Sequence, residues 1–386
     1  MILLAEILFC ITAAAMLHTY VFYPALLLLI GRKKKNKPAA NTYQPPVTIV
    51  CAAYNEEKVI EEKIHSTFKT NYPSNNITLL IGTDNCSDRT VEIIKKLQAQ
   101  YAGLQLKEFT QRTGKIGILN ILCQSAQSEI LVMTDANVFF ATDTLDHLVS
   151  HFENENNVLV CGRVIKRPLS GETITQTELQ YMDFENRLKA AEGNAFGVVM
   201  GAEGGCYAFR KNIFQTIPPH FIADDFFITC LALRTGKNVL FEEDAIGYED
   251  LDTNTAGEFR RKARIATGNF QNLFFFIDLL LKFWTATAFC FLSHKVLRWK
   301  TPFLFILNLA TAVALYKVCL FFPFVVYAEI FLLLLPLINS VLVKANLRVK
   351  LFIVASHFMI MNAALAVGFF RFCKGVKSSV WEPVKR

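Results

Sequence analysis

Residues 130–134 read Ile-Leu-Val-Met-Thr and run straight into Asp135-Ala136-Asn137. A short apolar run of this kind predicts a strand buried on both faces, as in parallel sheets. Open α/β sheets place their ligands just beyond the C-terminal ends of such strands, where this one delivers an acidic residue. On an extended chain, side chains at i and i+2 point the same way. Asp135 and Asn137 therefore offer oxygens in one direction. That arrangement suits a hard cation, Mg²⁺ or Mn²⁺, shared with a diphosphate.

The flanking sequence repeats the pattern. Buried-strand runs at 47–52, 77–82 and 104–109 alternate with helical patterns at 56–68, 90–101 and 116–125. This alternation predicts an α/β domain, with a mostly parallel sheet and helices on both faces. The first strand runs into Ala53-Tyr54-Asn55-Glu56-Glu57. The second runs into Thr83-Asp84-Asn85-Cys86-Ser87-Asp88. Three strands ending in polar residues define one cleft at the C-terminal edge of the sheet. Asn55 and Ser87 taken singly also suit helix caps.

The chain is 53% hydrophobic, with the excess at its two ends. Residues 2–30 are almost uncharged and long enough to cross a bilayer core of about 30 Å. The basic run Arg32-Lys33-Lys34-Lys35 follows them, and no positive segment precedes them. That order argues against a cleavable signal. It also puts the N-terminus outside and the following domain in the cytoplasm. Residues 32–46 form a basic, proline-containing linker. Residues 270–292, rich in Phe and Leu but carrying Asp278 and Lys282, predict a helix lying in the interface. Residues 302–320, 322–343 and 351–372 predict three further spans, followed by a basic tail at 374–386. Three spans would carry that tail outside, against the charge rule, unless 270–292 also crosses or one span is re-entrant. The net charge of +7 arises from clusters beside apolar segments, which suit membrane anchoring rather than nucleic-acid binding. The ten cysteines show no metal-type spacing.

These motifs, in this order, resemble the family-2 glycosyltransferases of the GT-A fold, in particular the membrane-bound enzymes of bacterial polysaccharide synthesis. The resemblance covers about residues 47–268. It implies a cytoplasmic GT-A domain over that range, an interfacial region at 269–300, about three spans within 301–373, and a place in the inner membrane. It implies that the loop from Ala53 to Glu56 packs on the base of a UDP-sugar and that Asp84 holds the uracil or ribose. Lys115, in Gly114-Lys115-Ile116-Gly117-Ile118-Leu119-Asn120, would sit near the diphosphate. The family's Asp-x-Asp metal motif appears here as Asp135-Ala136-Asn137, which leaves Asp135 the principal ligand. Gly204 and Gly205 would line the acceptor side with Asp224. Asp225, second of the acidic pair, would be the catalytic base. Processive members carry Gln-x-x-Arg-Trp near the membrane. Here Arg261 replaces Gln, Arg264 matches the Arg, and Ile265 replaces Trp.

The implied activity is inverting, metal-dependent transfer from a nucleotide sugar to a growing polysaccharide or a lipid-linked acceptor, with export or assembly proteins as partners. The missing Trp points away from a processive synthase. The competing reading is a non-catalytic membrane assembly subunit that keeps the fold. Three convergent carboxylates argue against it.

Overall fold

The computed structural model describes residues 1–31, 43–168, 176–251 and 255–376. Most of the basic linker and the end of the basic tail lie outside the described residues. The chain divides into an α/β unit, mainly residues 30–174 and 182–253, and a helical unit, mainly 1–29 and 254–375.

The α/β unit is built on one eight-stranded sheet. Its strands are β1 (Val47–Ala53), β2 (Ile77–Asp84), β3 (Leu104–Phe109), β4 (Ile130–Asp135), β5 (Val138–Phe140), β6 (Asn157–Pro168), β7 (Tyr207–Arg210) and β8 (Asn238–Leu251). They lie in the order β3-β2-β1-β4-β7-β6-β8-β5. The half containing β3, β2, β1 and β4 is wholly parallel. Beyond β4 the direction changes, because β7 runs antiparallel to both β4 and β6. The sheet is therefore mixed but largely parallel, as the strand–helix alternation predicts. Every residue of β1 is buried. Ile49, Leu79, Ile81 and Val132 form its core with Ile60 and Ile64 of the helix Ile60–Phe68.

That helix begins four residues later than its apolar periodicity suggests. The Glu56 N–H donates to Thr90 Oγ1 at 2.8 Å, and the Glu57 N–H to Asp88 Oδ2 at 3.1 Å. Residues 56–59 thus form a turn pinned to the loop after β2. The register Ala52↔Asp135 brings the ends of β1 and β4 side by side. The loops carrying the expected site residues leave the sheet at this edge.

In the helical unit, three helices are long and apolar enough to cross a membrane among the described residues: Ile2–Ile30, Phe321–Lys344 and Lys350–Cys373. The chain is accordingly a multi-pass membrane protein. The expected span at 302–320 corresponds instead to the helix Leu297–Ala314. It opens with Arg298 and Lys300, contains Pro302, and stops six residues early. The expected interfacial helix at 270–292 is also broken up. It comprises the end of the helix Thr255–Phe275, then the short helices Asp278–Leu281 and Ala286–Cys290. Gly268, the expected domain boundary, falls inside the first of these. There a Cβ on Gly368 would meet the Ala266 side chain at 2.4 Å and the Ala263 carbonyl at 2.8 Å. Small residues allow the two helices that close approach, as in membrane bundles. Polar ties hold the N-terminal helix. Thr19 Oγ1 donates to the Ser293 carbonyl at 2.6 Å, and Asn308 Nδ2 to Thr12 Oγ1 at 2.7 Å.

Candidate active site

Two loops at the cleft edge start with asparagine in the left-handed region, Asn55 at φ 54° and Asn85 at φ 52°. Asparagine tolerates this conformation because its short side chain bonds locally. The Asn55 side chain instead reaches the second loop, accepting the Ser87 N–H at 2.9 Å. Ala53 and Glu56, the sequence-predicted nucleotide contacts, are both buried. The half-buried face between them belongs to Tyr54, over which the Arg112 guanidinium stacks 3.5 Å from the ring centre.

Asp84 is buried, and its carboxylate accepts three N–H groups from the protein itself. Oδ1 accepts the Thr113 N–H at 2.6 Å. Oδ2 accepts the Gly114 N–H and the Arg112 Nε–H, each at 3.1 Å. Asp84 thereby caps the helix Gly114–Ser125, whose first N–H groups have no partner within the helix. It also aims Arg112 at Tyr54.

That same helix start delivers Lys115 to a group of carboxylates. The Lys115 ammonium lies 2.9 Å from Asp135 Oδ1 and 3.4 Å from Asp224 Oδ1. Burial acts to lower its pKa, but Asp135 and Asp224 carry it above the ordinary lysine value. Asp224 and Asp225 open the helix Asp224–Arg234, where its dipole favours negative charge. Asp225 Oδ1 accepts the neighbouring Phe226 N–H at 2.7 Å. Burial and the adjacent Asp224 charge raise the Asp225 pKa to about 6, against the opposing pull of Lys115.

Gly204 stands between two of these carboxylates. A Cβ there would sit 3.3 Å from Asp225 Oδ2 and 3.8 Å from Asp135 Oδ2. Gly205 packs so closely on Val138 that a Cβ would approach its side chain to 2.5 Å. Asn137 Nδ2 donates to Glu249 Oε1 at 3.4 Å. The α/β unit thus assembles Lys115, Asp135, Gly204, Asp224 and Asp225 in one place. Arg261 and Arg264 lie in the helical unit, on the helix Thr255–Phe275.

These groups fit a divalent cation. The donors are hard oxygens, the Lys115 ammonium already occupies a cation's place on Asp135, and bare Gly204 backbone faces the other Asp135 oxygen. No three His, Cys, Asp or Glu side chains among the described residues gather closely enough to hold a metal alone. That is expected of an ion that completes its shell with substrate phosphate.

Sequence reasoning missed Glu203, which pairs with the buried Lys189 at 2.7 Å. Its signal was the lone acid inside Gly-Ala-Glu-Gly-Gly. It also missed the Arg112–Tyr54 stack, which no local spacing encodes.

Residues 48–217 match the family model for glycosyl transferase family 2. The fold matches a solved mannosyltransferase, PcManGT from Pyrobaculum calidifontis in complex with GDP-Man and Mn²⁺. That likeness has a TM-score of 0.69 and 20% identity, over 95% of this chain and 99% of the other. The α/β unit is therefore a family-2 glycosyltransferase domain with a GT-A fold. Among curated relatives, the beta-monoglucosyldiacylglycerol synthase of Trichormus variabilis is 33% identical over 141 residues, 36% of this chain and 30% of that protein. The probable glycosyltransferase YdaM of Bacillus subtilis is 23% identical over 241 residues, 58% and 55% of the two chains. The aligned part thus spans about a third to a half of these relatives.

Proposed function

We propose that this protein transfers a sugar, with inversion, from a nucleotide sugar to a polysaccharide or lipid-linked acceptor at the membrane. In our reading the donor is UDP-linked and a Mg²⁺ or Mn²⁺ ion assists. The observation that carries this is the cluster of Asp135, Asp224 and Asp225 around Lys115, with the gap at Gly204 between two of the carboxylates. Asp225 accepts the proton of the acceptor hydroxyl while that oxygen forms the new bond to the anomeric carbon. The anomeric carbon–phosphate oxygen bond breaks, and the diphosphate leaves with the electron pair. Lys115 supplies positive charge to that leaving group. Asp135 and Asn137 would hold the divalent ion, which neutralises developing charge on the diphosphate. Tyr54, backed by Arg112, offers a flat face for the base. Arg261 and Arg264 carry positive charge on the helix Thr255–Phe275 of the helical unit.

The diacylglycerol product named for the Trichormus relative favours a lipid-linked acceptor over a long polymer, in line with the missing Trp. Two C-terminal spans, rather than three, would return the basic tail to the side of Arg32–Lys35. We assign that side to the cytoplasm, where nucleotide sugars occur, and the membrane to the inner membrane.

The test is incorporation of labelled sugar from a panel of UDP-sugars and GDP-mannose. Membranes carrying wild type or Asp225→Asn are assayed with Mn²⁺, and the product is sized. Asp225-dependent transfer into solvent-extractable material is the expected result. Asp225-dependent long, protease-resistant product would mean a polymerase. Donor binding without Asp225-dependent transfer would favour a non-catalytic assembly subunit.

A further inference from the structure

The helix Ile60–Phe68 turns Ile60, Ile64 and Thr67 inward, and Lys63 shares that face with no exposure at all. Burying an ammonium group is costly unless it is fully engaged. No carboxylate contacts Lys63 among the described residues. Its partners are Thr134 Oγ1 at 2.7 Å, the Val138 carbonyl at 2.5 Å and the face of Phe140, 4.1 Å from the ring centre.

Thr134 immediately precedes Asp135, and Val138 immediately follows Asn137. One ammonium therefore ties together both ends of the Asp135-Ala136-Asn137 turn. The turn needs a tie, because the chain changes partners across it. β4 pairs with β1 and β7, whereas β5, starting at Val138, pairs with β8 at the edge of the sheet. Between them only Ala136 is buried. A small core could be closed here by Met or Leu at position 63. A lysine adds two directed bonds that an apolar side chain cannot.

We propose that Lys63 is a positioning residue, which clamps the Asp135–Asn137 turn from beneath and so fixes the separation of its metal-facing oxygens. This rests on the glycosyl-transfer reading above. The clamp sets how tightly the turn holds a divalent cation with a nucleotide diphosphate.

The experiment uses the full chain in detergent, as wild type, Lys63→Met and Lys63→Gln. Mn²⁺ is titrated at saturating UDP or GDP, whichever raises the wild-type melting temperature, and kcat and KM are measured alongside. Lys63→Met should melt within a few degrees of wild type without ligand, yet need at least tenfold more Mn²⁺ for half its thermal shift. Its kcat should fall at least tenfold. Lys63→Gln, which keeps an N–H donor, should lie between the two. Where the Met variant does not fold, the Gln variant alone should still show a raised Mn²⁺ midpoint. Folded variants with the wild-type Mn²⁺ midpoint and kcat would reduce Lys63 to a packing residue. A wild type that shows no Mn²⁺-dependent shift with either nucleotide would overturn the functional reading together with this one.

Discussion

Asp84 and Asp135 each end a buried parallel strand, one strand apart across β1, yet their carboxylates live in opposite surroundings. Asp84 accepts three N–H groups from residues 112–114 and holds a helix start. Asp135 shares one lysine with Asp224, and Asp225 adds a third negative charge nearby. The first half of the cleft is electrostatically closed. The second gathers three acids around one lysine, hard oxygen donors of the kind a divalent cation takes. A strand-terminal acid is thus scaffold or reagent according to how many donors its own loop provides.

Asp225→Asn should have the largest effect. Transfer should fall by about a thousandfold, within the range for a lost general base, while binding of nucleotide and Mn²⁺ survives. Stability should move the other way. The folded-state pKa of about 6 lies above the ordinary 3.8, so ionised Asp225 penalises the fold. That penalty is full above about pH 6 and vanishes as pH falls toward 3.8. Asp225→Asn should therefore raise the melting temperature at pH 7.5 and lose that advantage near pH 4.

Asp135→Ala comes next. It should abolish the Mn²⁺-dependent thermal shift with nucleotide and reduce transfer at least a hundredfold, without lowering the ligand-free melting temperature. Donor binding lost equally in Asp225→Asn would contradict the division between the two.

Asp84→Ala should do the reverse. It strands buried N–H groups, at a cost of about 2–4 kcal/mol in thermal or denaturant unfolding, while the remaining folded enzyme keeps most of its kcat. A large kcat loss at unchanged stability would show Asp84 acting on the donor directly.

The pH profile sharpens the same contrast in wild type. Transfer should fall as pH drops through about 6, tenfold per unit beneath it, as Asp225 takes up its proton. In Asp84→Ala that acid limb should stay where it is. Arg112→Met should have the smallest effect on transfer, a modest rise in donor KM from the lost stack on Tyr54, while the lost Nε–H bond to buried Asp84 costs about 1–3 kcal/mol of stability.

How much of this was legible in the sequence follows from where the information is local. The parallel half was readable because β1, β2 and β4 are short apolar runs punctuated by polar loops. β6 and β8 were not marked out, because charged residues such as Arg163, Lys166 and Glu242-Glu243-Asp244 interrupt their apolar residues. Asp135, Asp224 and Asp225 were recognisable from motif order, and the structure brings them around Lys115. Asp84 was recognisable as important, but its self-satisfied carboxylate depends on a backbone turn that residue types do not specify. Lys63 had a readable signal, a charge on the inward stripe of Ile60 and Ile64, but only the fold shows what it reaches. The span at 302–320 looked continuous in hydropathy. The helix instead starts at Leu297 among charged residues and ends at Ala314.

One vacancy in the side-chain pattern has a practical corollary. At Gly204 the cleft wall is bare backbone between two acids, 3.3 Å and 3.8 Å from where a methyl would begin. The aperture there is governed by a position that carries no charge and takes no part in the chemistry. Alanine would narrow it and serine would furnish it with a hydroxyl, each leaving every acid in place. On the proposed reading, Gly204 is the position where the bulk of an admitted sugar could be tuned with every surrounding acid left in place.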